Sequence, residues 1–141
     1  GLMGWAIGGV GAVIDSTIAV NSSMHNTLWV PAHFHTYMLM GLGPMLLGYF
    51  YHACQQGAPQ PENAGKAWLI TALFLIGGYG FLLAFYFAGA DSIPRRFAGY
   101  PRELGSGPLY AFAGMASALL LLVGFILYAT ETGRRWLRAV A

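Results

Sequence analysis

Charge is what this sequence most lacks. Only 9% of its residues are Asp, Glu, Lys or Arg, while 57% are hydrophobic; an ordinary soluble domain carries roughly 25% charged residues. A chain this poor in charge cannot cover a water-facing surface, so the composition indicates a membrane protein. The formal charge of +2 is small and scattered, which excludes the basic patches that bind nucleic acid. Cysteine is nearly absent as well. Cys54 alone supports neither an internal disulfide nor a thiolate metal cluster, and is read as a small buried hydrophobe. Also missing is a basic stretch ahead of the first apolar run, the mark of a signal peptide. Opening at Gly1 inside an apolar stretch, the sequence predicts further residues upstream, the alternative being a processed small membrane protein.

Long apolar runs are what it has. About 20 residues cross the hydrocarbon of a bilayer, and four runs qualify: about 1 to 20, 29 to 53, 67 to 89 and 108 to 130. The expected fold is therefore all-α, a single membrane domain over residues 1 to 141 with four transmembrane helices and no soluble domain. Alternating spans put Lys66 and the tail arginines (Arg134, Arg135, Arg138) on one side, and Arg95, Arg96 and Arg102 on the other. The positive-inside rule assigns the tail side as cytoplasmic. Arg95 and Arg96 then lie on the outer side, where bound anionic groups would account for them. Gly57, Pro59, Pro61 and Gly65 mark a surface turn between the second and third spans. Trp29, Trp68 and Trp136 fall at span ends, where indole rings anchor in headgroups. Glycines inside the spans, such as Gly8, Gly9, Gly11, Gly41 and Gly43, suit close helix approach.

The chemistry concentrates in His33, Phe34 and His35. On a strand, two histidines at this spacing would share a face and chelate one metal. On a helix they diverge by roughly 200° with about 3 Å of rise between them, and cannot hold one ion. Pro31 fits the first turn of the second span, where its missing N–H costs nothing, so the helical geometry is the expected one. An isolated histidine in a membrane is more often a hydrogen-bonded structural group. Two within three positions ask for more compensation, which ligation of neutral imidazole to iron provides. Zinc or copper would need further ligands close by, and His52 lies roughly 26 Å along the helix from His35. Haem needs only one or two axial ligands from the protein. Two haems flanking one helix, with Phe34 between their ligands, are the economical reading.

Arg95 and Arg96 offer adjacent guanidinium groups suited to carboxylates such as haem propionates, although arginine at a membrane edge also meets lipid phosphate. Their placement on the same membrane side as His33 and His35 favours the propionates. His25 and Asn26 lie just outside the second span, where a histidine is ordinarily polar surface or, above two haems, a ligand for a non-redox cation or part of a water path. Asp15, inside the first span, is either a buried hydrogen-bonded carboxylate or a proton-handling group, and the sequence does not choose. Thr36 and Tyr37 face cofactor or water, or simply pack.

The string from His25 through Asn26, Thr27, Leu28, Trp29, Val30, Pro31, Ala32 and His33 to His35, followed by Ile93, Pro94, Arg95, Arg96, Phe97, Ala98, Gly99, Tyr100 and Pro101, resembles the C-terminal part of subunit I of the haem-copper oxygen reductases. The resemblance covers essentially the whole chain, whose spans look like the ninth to twelfth helices of the usual twelve-helix bundle. It implies that His33 is the axial ligand of the high-spin, oxygen-binding haem, that His35 ligates the low-spin haem, and that Phe34 lies between them. It implies further that Arg95 and Arg96 bind haem propionates and that His25 matches the family's ligand for a magnesium-type ion. Asn26 and Asn21 stand where many relatives carry Asp, which bears on that ion and on the proton exit route. The form of the motif is closer to the divergent prokaryotic branch, implying a prokaryotic cytoplasmic (inner) membrane.

The family's copper ligands and the second axial ligand of its low-spin haem come from earlier helices, so the resemblance implies that this chain alone would not reduce oxygen and is either a fragment or one half of a split subunit. The implied partners are the remaining helices of subunit I, subunit II, the lipid membrane, and cytochrome c, another carrier or quinol as electron donor. The implied activity is reduction of oxygen to water with proton translocation. Two alternatives are nitric oxide reduction at a related centre and a haem-free assembly or transport protein. Haem without copper-dependent oxygen consumption distinguishes the first, and absence of haem bands the second.

Overall fold

The computed structural model describes residues 1–57, 61–97 and 99–140, and its regular elements are helices. In chain order they are α1 (Leu2–Asp15), α2 (Ile18–Met24), α3 (Trp29–His35), a π-helical segment (Thr36–Leu42), α4 (Gly43–Gly57), α5 (Ala64–Ala90), a 3₁₀ turn (Arg102–Leu104) and α6 (Gly107–Val140). Among the described residues the only strand-like pairing is an isolated bridge between Thr27 and Pro94. This is an all-α membrane protein. α5 and α6 are each long and apolar enough to cross a bilayer, and α1 with α2 would add a third only as a broken span. Pro59, part of the expected surface turn, lies outside the described residues.

The run from 1 to 20, expected as one straight span, bends by 100° between α1 and α2. Three consecutive short polar side chains end the first helix. Ser16 Oγ donates to the carbonyl of Val13 at 2.7 Å, and Thr17 Oγ1 turns back to that of Ile14. Such local bonds offer the backbone an alternative to the helical ladder. Thr17 then takes an extended conformation, with ψ of 124°, and restarts the chain as the N-cap residue of α2.

Residues 29 to 57 are helical without a break, but the ladder changes pitch directly after His35. Pro44 has no N–H to return to the carbonyl of Met40. The preceding Gly43 N–H instead reaches Met38 O, five residues back, as a π turn requires. The wider turn sets the face that the lower half of this helix presents below the histidines.

Small residues allow the helices to approach. Gly4, Gly8 and Gly11 form a buried stripe on α1; Met40, Tyr37 and His33 fill the space where their Cβ atoms would stand. α5 and α6 close in the same way: a Cβ on Gly77 would lie 2.6 Å from the backbone nitrogen of Leu121, and one on Gly80 2.7 Å from Ser117 Oγ. Tyr110 donates to Asp91 at 2.5 Å near the α5–α6 connection, and Tyr128 donates to Leu47 O at 2.6 Å, tying α6 to α4.

α6 continues through the polar tail because its charges are paired. Arg135 is 3% exposed. It donates to Glu131 through Nε at 3.3 Å and Nη2 at 3.1 Å and to Gln55 Oε1, and it lies 5.0 Å over the Tyr51 ring. Lys66 Nζ reaches the other Glu131 oxygen at 2.5 Å. Arg135→Leu is expected to destabilise the assembled protein by about 2 kcal/mol. That is less than the roughly 3–5 kcal/mol of a fully buried pair, because Lys66 stays on Glu131. A lowered thermal midpoint in detergent is the measurable consequence.

Candidate haem-ligand site

The histidine helix is pinned to the arginine loop by main-chain bonds. Leu28 N–H donates to Ile93 O at 2.9 Å, and Arg95 N–H donates to Asn26 O at 3.0 Å, on either side of the Thr27–Pro94 bridge. Ile93 is fully buried in this junction. Gly89, near the end of α5, takes the backbone of Trp29 so closely that a Cβ there would collide with it. The start of α3, the end of α5 and the loop bearing Arg95 and Arg96 therefore form one rigid corner. Ser92 and Arg96 both adopt positive φ, 60° and 69°, an uncommon conformation for residues other than glycine. Arg96 is exposed and Arg95 half-buried.

On α3 the two imidazoles turn to different neighbours. His33 faces α1: a Cβ on Gly11 would stand 2.8 Å from its Nδ1, and Asp15 Oδ2 lies 3.6 Å from the same nitrogen. The Tyr37 ring meets it edge-on with centroids 5.2 Å apart. His35 faces α5, its ring 5.8 Å from that of Phe81. Its Nδ1 lies 2.6 Å from Pro31 O. A carbonyl can only accept, so this nitrogen carries the proton and the lone pair rests on Nε2. Phe34 is more than half exposed, and its ring meets that of His35 edge-on with centroids 5.6 Å apart.

Both rings suit axial ligation of haem iron. His35 is already held in the tautomer that frees Nε2, the second-sphere arrangement usual for a ligating histidine. His33 Nδ1 is buried without a hydrogen-bond partner, which a ring shift toward Asp15 would correct. Beyond the histidines, an apolar cavity of about 520 Å³ is lined by Met38, Leu39, Phe50, Phe74, Leu121 and Phe125, and neither imidazole reaches it.

The remaining candidates lie apart from this pair. His25 is exposed, with Nδ1 3.1 Å from Asn21 Oδ1. Among the described residues no three His, Cys, Asp or Glu side chains gather as a metal-binding group. His52 is exposed on α4, and Cys54 is half-buried rather than buried. Trp68 and Trp136 are exposed, as headgroup anchors would be, but Trp29 turns inward and donates its indole N–H to Asp15 Oδ1 at 2.6 Å. That inward contact was not expected from the sequence, and neither was the role of Gly11. Their signal is the spacing of Gly4, Gly8, Gly11 and Asp15, which puts all four on one face of α1.

Residues 1–123 match the sequence model of the family described as cytochrome C and quinol oxidase polypeptide I. The chain is 32% identical over 137 residues to cytochrome c oxidase subunit 1 of Cereibacter sphaeroides, an alignment covering 93% of this chain and 24% of that protein. It is 24% identical over 133 residues to cytochrome c oxidase subunit 1 of Thermus thermophilus, covering 91% and 24% respectively. Against cytochrome c oxidase polypeptide 1 of Halobacterium salinarum it is 26% identical over 132 residues, covering 92% and 21%. The chain thus spans about a quarter of the length of the curated relatives it matches.

Proposed function

The chain belongs to the cytochrome c and quinol oxidase polypeptide I family, and from that premise we propose that it is the haem-holding part of a terminal respiratory oxidase that reduces oxygen to water with proton translocation. Four spans, the second made by residues 29 to 57, form part of a larger bundle in a prokaryotic inner membrane. The histidine end faces outward and α6 ends on the cytoplasmic side. The observation that carries this reading is the divergence of His33 and His35 toward α1 and α5. His33 is the ligand of the oxygen-binding haem and His35 of the low-spin haem. When bound there, haem would supply redox-active iron at each of the two imidazoles, and the copper that the family uses would be held by residues outside this chain.

The protein's own part is orientation. Pro31 O fixes the tautomer of His35, the Gly11 gap receives His33, and Phe34 lies between the two ligands. Arg95 and Arg96 hold propionates by charge-assisted bonds, and His25 contributes to a magnesium-type site completed by other groups. Electrons arrive from cytochrome c, another carrier or quinol by way of partner subunits. Oxygen uptake and haem absorption bands in the purified complex test this function; a complete complex without haem bands would refute it.

The arginines can be tested separately. Arg95→Gln and Arg96→Gln should each weaken haem retention roughly tenfold, from the about 1.5 kcal/mol that a hydrogen bond to a charged group contributes. The bond from Arg95 to Asn26 O is a main-chain one and survives the substitution, so the corner should stay folded. Haem-to-protein ratio after dilution measures the effect, and an unchanged ratio would return these arginines to lipid phosphate.

A further inference from the structure

Asp15 sits at the C-terminal end of α1, where the helix dipole presents partial negative charge and disfavours a carboxylate. Among the described residues no Lys or Arg pairs with it. An ionisable group kept under such conditions inside a membrane protein calls for a functional partner. Its two oxygens diverge: Oδ1 accepts from the Trp29 indole at 2.6 Å, and Oδ2 points toward His33 Nδ1, 3.6 Å away. That nitrogen is buried and without a hydrogen-bond partner. Of the side chains placed beside it, Asp15 is the one that offers a free acceptor. Gly11 presents no side chain, Tyr37 offers a ring edge-on, and the nearby Tyr86 hydroxyl is engaged with Thr36 Oγ1 at 3.0 Å.

We propose that Asp15 is the positioning residue of His33. Its carboxylate accepts the Nδ1 proton, fixes the tautomer that frees Nε2 for iron, and makes the imidazole a stronger donor, while Trp29 holds the carboxylate in place. The separation of 3.6 Å exceeds a hydrogen bond, and a shift of the ring by several tenths of an ångström closes it; contacts of this kind often tighten only when the site is filled. An unpaired buried polar group costs about 1–3 kcal/mol, which favours closure. The sequence Trp29–Asp15–His33 is then a carboxylate–histidine–metal relay extended by an indole. His35, by contrast, is supported by a neutral carbonyl, so the two ligands differ in donor strength although they share a helix. The proposal rests on His33 being an iron ligand.

The test uses resonance Raman spectroscopy of the iron–histidine stretch of the reduced, high-spin haem in the complete oxidase complex, assigned by histidine isotope labelling. Asp15→Asn should lower the stretching frequency, because an amide is the weaker acceptor, and speed haem loss by roughly 10–100-fold. The low-spin bands should not change. Trp29→Phe keeps the carboxylate and removes the donor on Oδ1, which leaves Oδ2 the stronger acceptor and should raise the stretching frequency; it carries the test if the Asp15 variant does not assemble. An unchanged frequency in an assembled variant with both haems bound would overturn the role of Asp15 while leaving His33 as ligand. Absence of a histidine–iron stretch in the unmodified complex would overturn the assignment of His33 itself, and the Asp15 proposal with it.

Discussion

Replacing His35 by alanine in the complete complex should abolish the low-spin haem spectrum and leave a haem that still binds carbon monoxide; replacing His33 should chiefly disturb ligand binding at that second haem and spare the low-spin bands. Two ligands two residues apart in sequence would ordinarily be expected to fail together. Here they face different elements, His33 toward Gly11 and Asp15 of α1, His35 toward Phe81 of α5, so each can be lost separately. Turnover should fall at least about 100-fold in both, since loss of even an outer-sphere partner typically costs 10–100-fold. Low-temperature optical and carbon monoxide difference spectra separate the two outcomes. Identical spectral loss in both variants, with the protein still assembled, would contradict ligation on opposite faces.

The second large effect is expected at a residue with no chemistry of its own. A Cβ at Gly11 would stand 2.8 Å from His33 Nδ1, closer than two such atoms can approach. The ring cannot swing away cheaply, because Tyr37 lies across it on the same helix. Gly11→Leu should therefore displace His33 and remove the carbon monoxide-binding haem. Overpacking of this kind costs about 1–3 kcal/mol. His35 and its bond to Pro31 O lie on the other side of α3 and should persist, so the low-spin bands remain. Gly9, two residues earlier, has open space where its Cβ would be, and Gly9→Leu should leave both haems in place. Equal effects at the two glycines would mean that helix flexibility, not contact with His33, governs the site.

The divergence of the two imidazoles was legible in their spacing alone, because helical rotation per residue depends on no tertiary contact. The neighbourhood of the arginine loop followed from span alternation, and the main-chain bonds from Leu28 and Arg95 supply the contact that counting could not. The bend after Asp15 was not legible. Hydropathy averages over Ser16 and Thr17, whereas their hydroxyls act locally on single carbonyls. The π segment was hidden similarly: Pro44 sits well inside an apolar run, and its effect appears one residue upstream, at the bond from Gly43 to Met38 O. Trp29 illustrates a third limit. Its place at the start of a span suits an indole anchored in headgroups, but the bend of α1 brings Asp15 within reach of its N–H, and only tertiary structure reveals that choice. α6 outruns its expected end at 130 because Glu131, Arg135 and Lys66 satisfy one another, so polar residues prolong the helix that composition alone would stop.

The claim on which everything else depends is that one helix of this chain holds two different haems. Quantitative haem extraction from the purified complex, combined with carbon monoxide titration, tests it directly. Two haems per chain, only one of which binds carbon monoxide, is the expected result; a single haem, or two that both bind it, would contradict the assignment of His33 and His35 to separate centres.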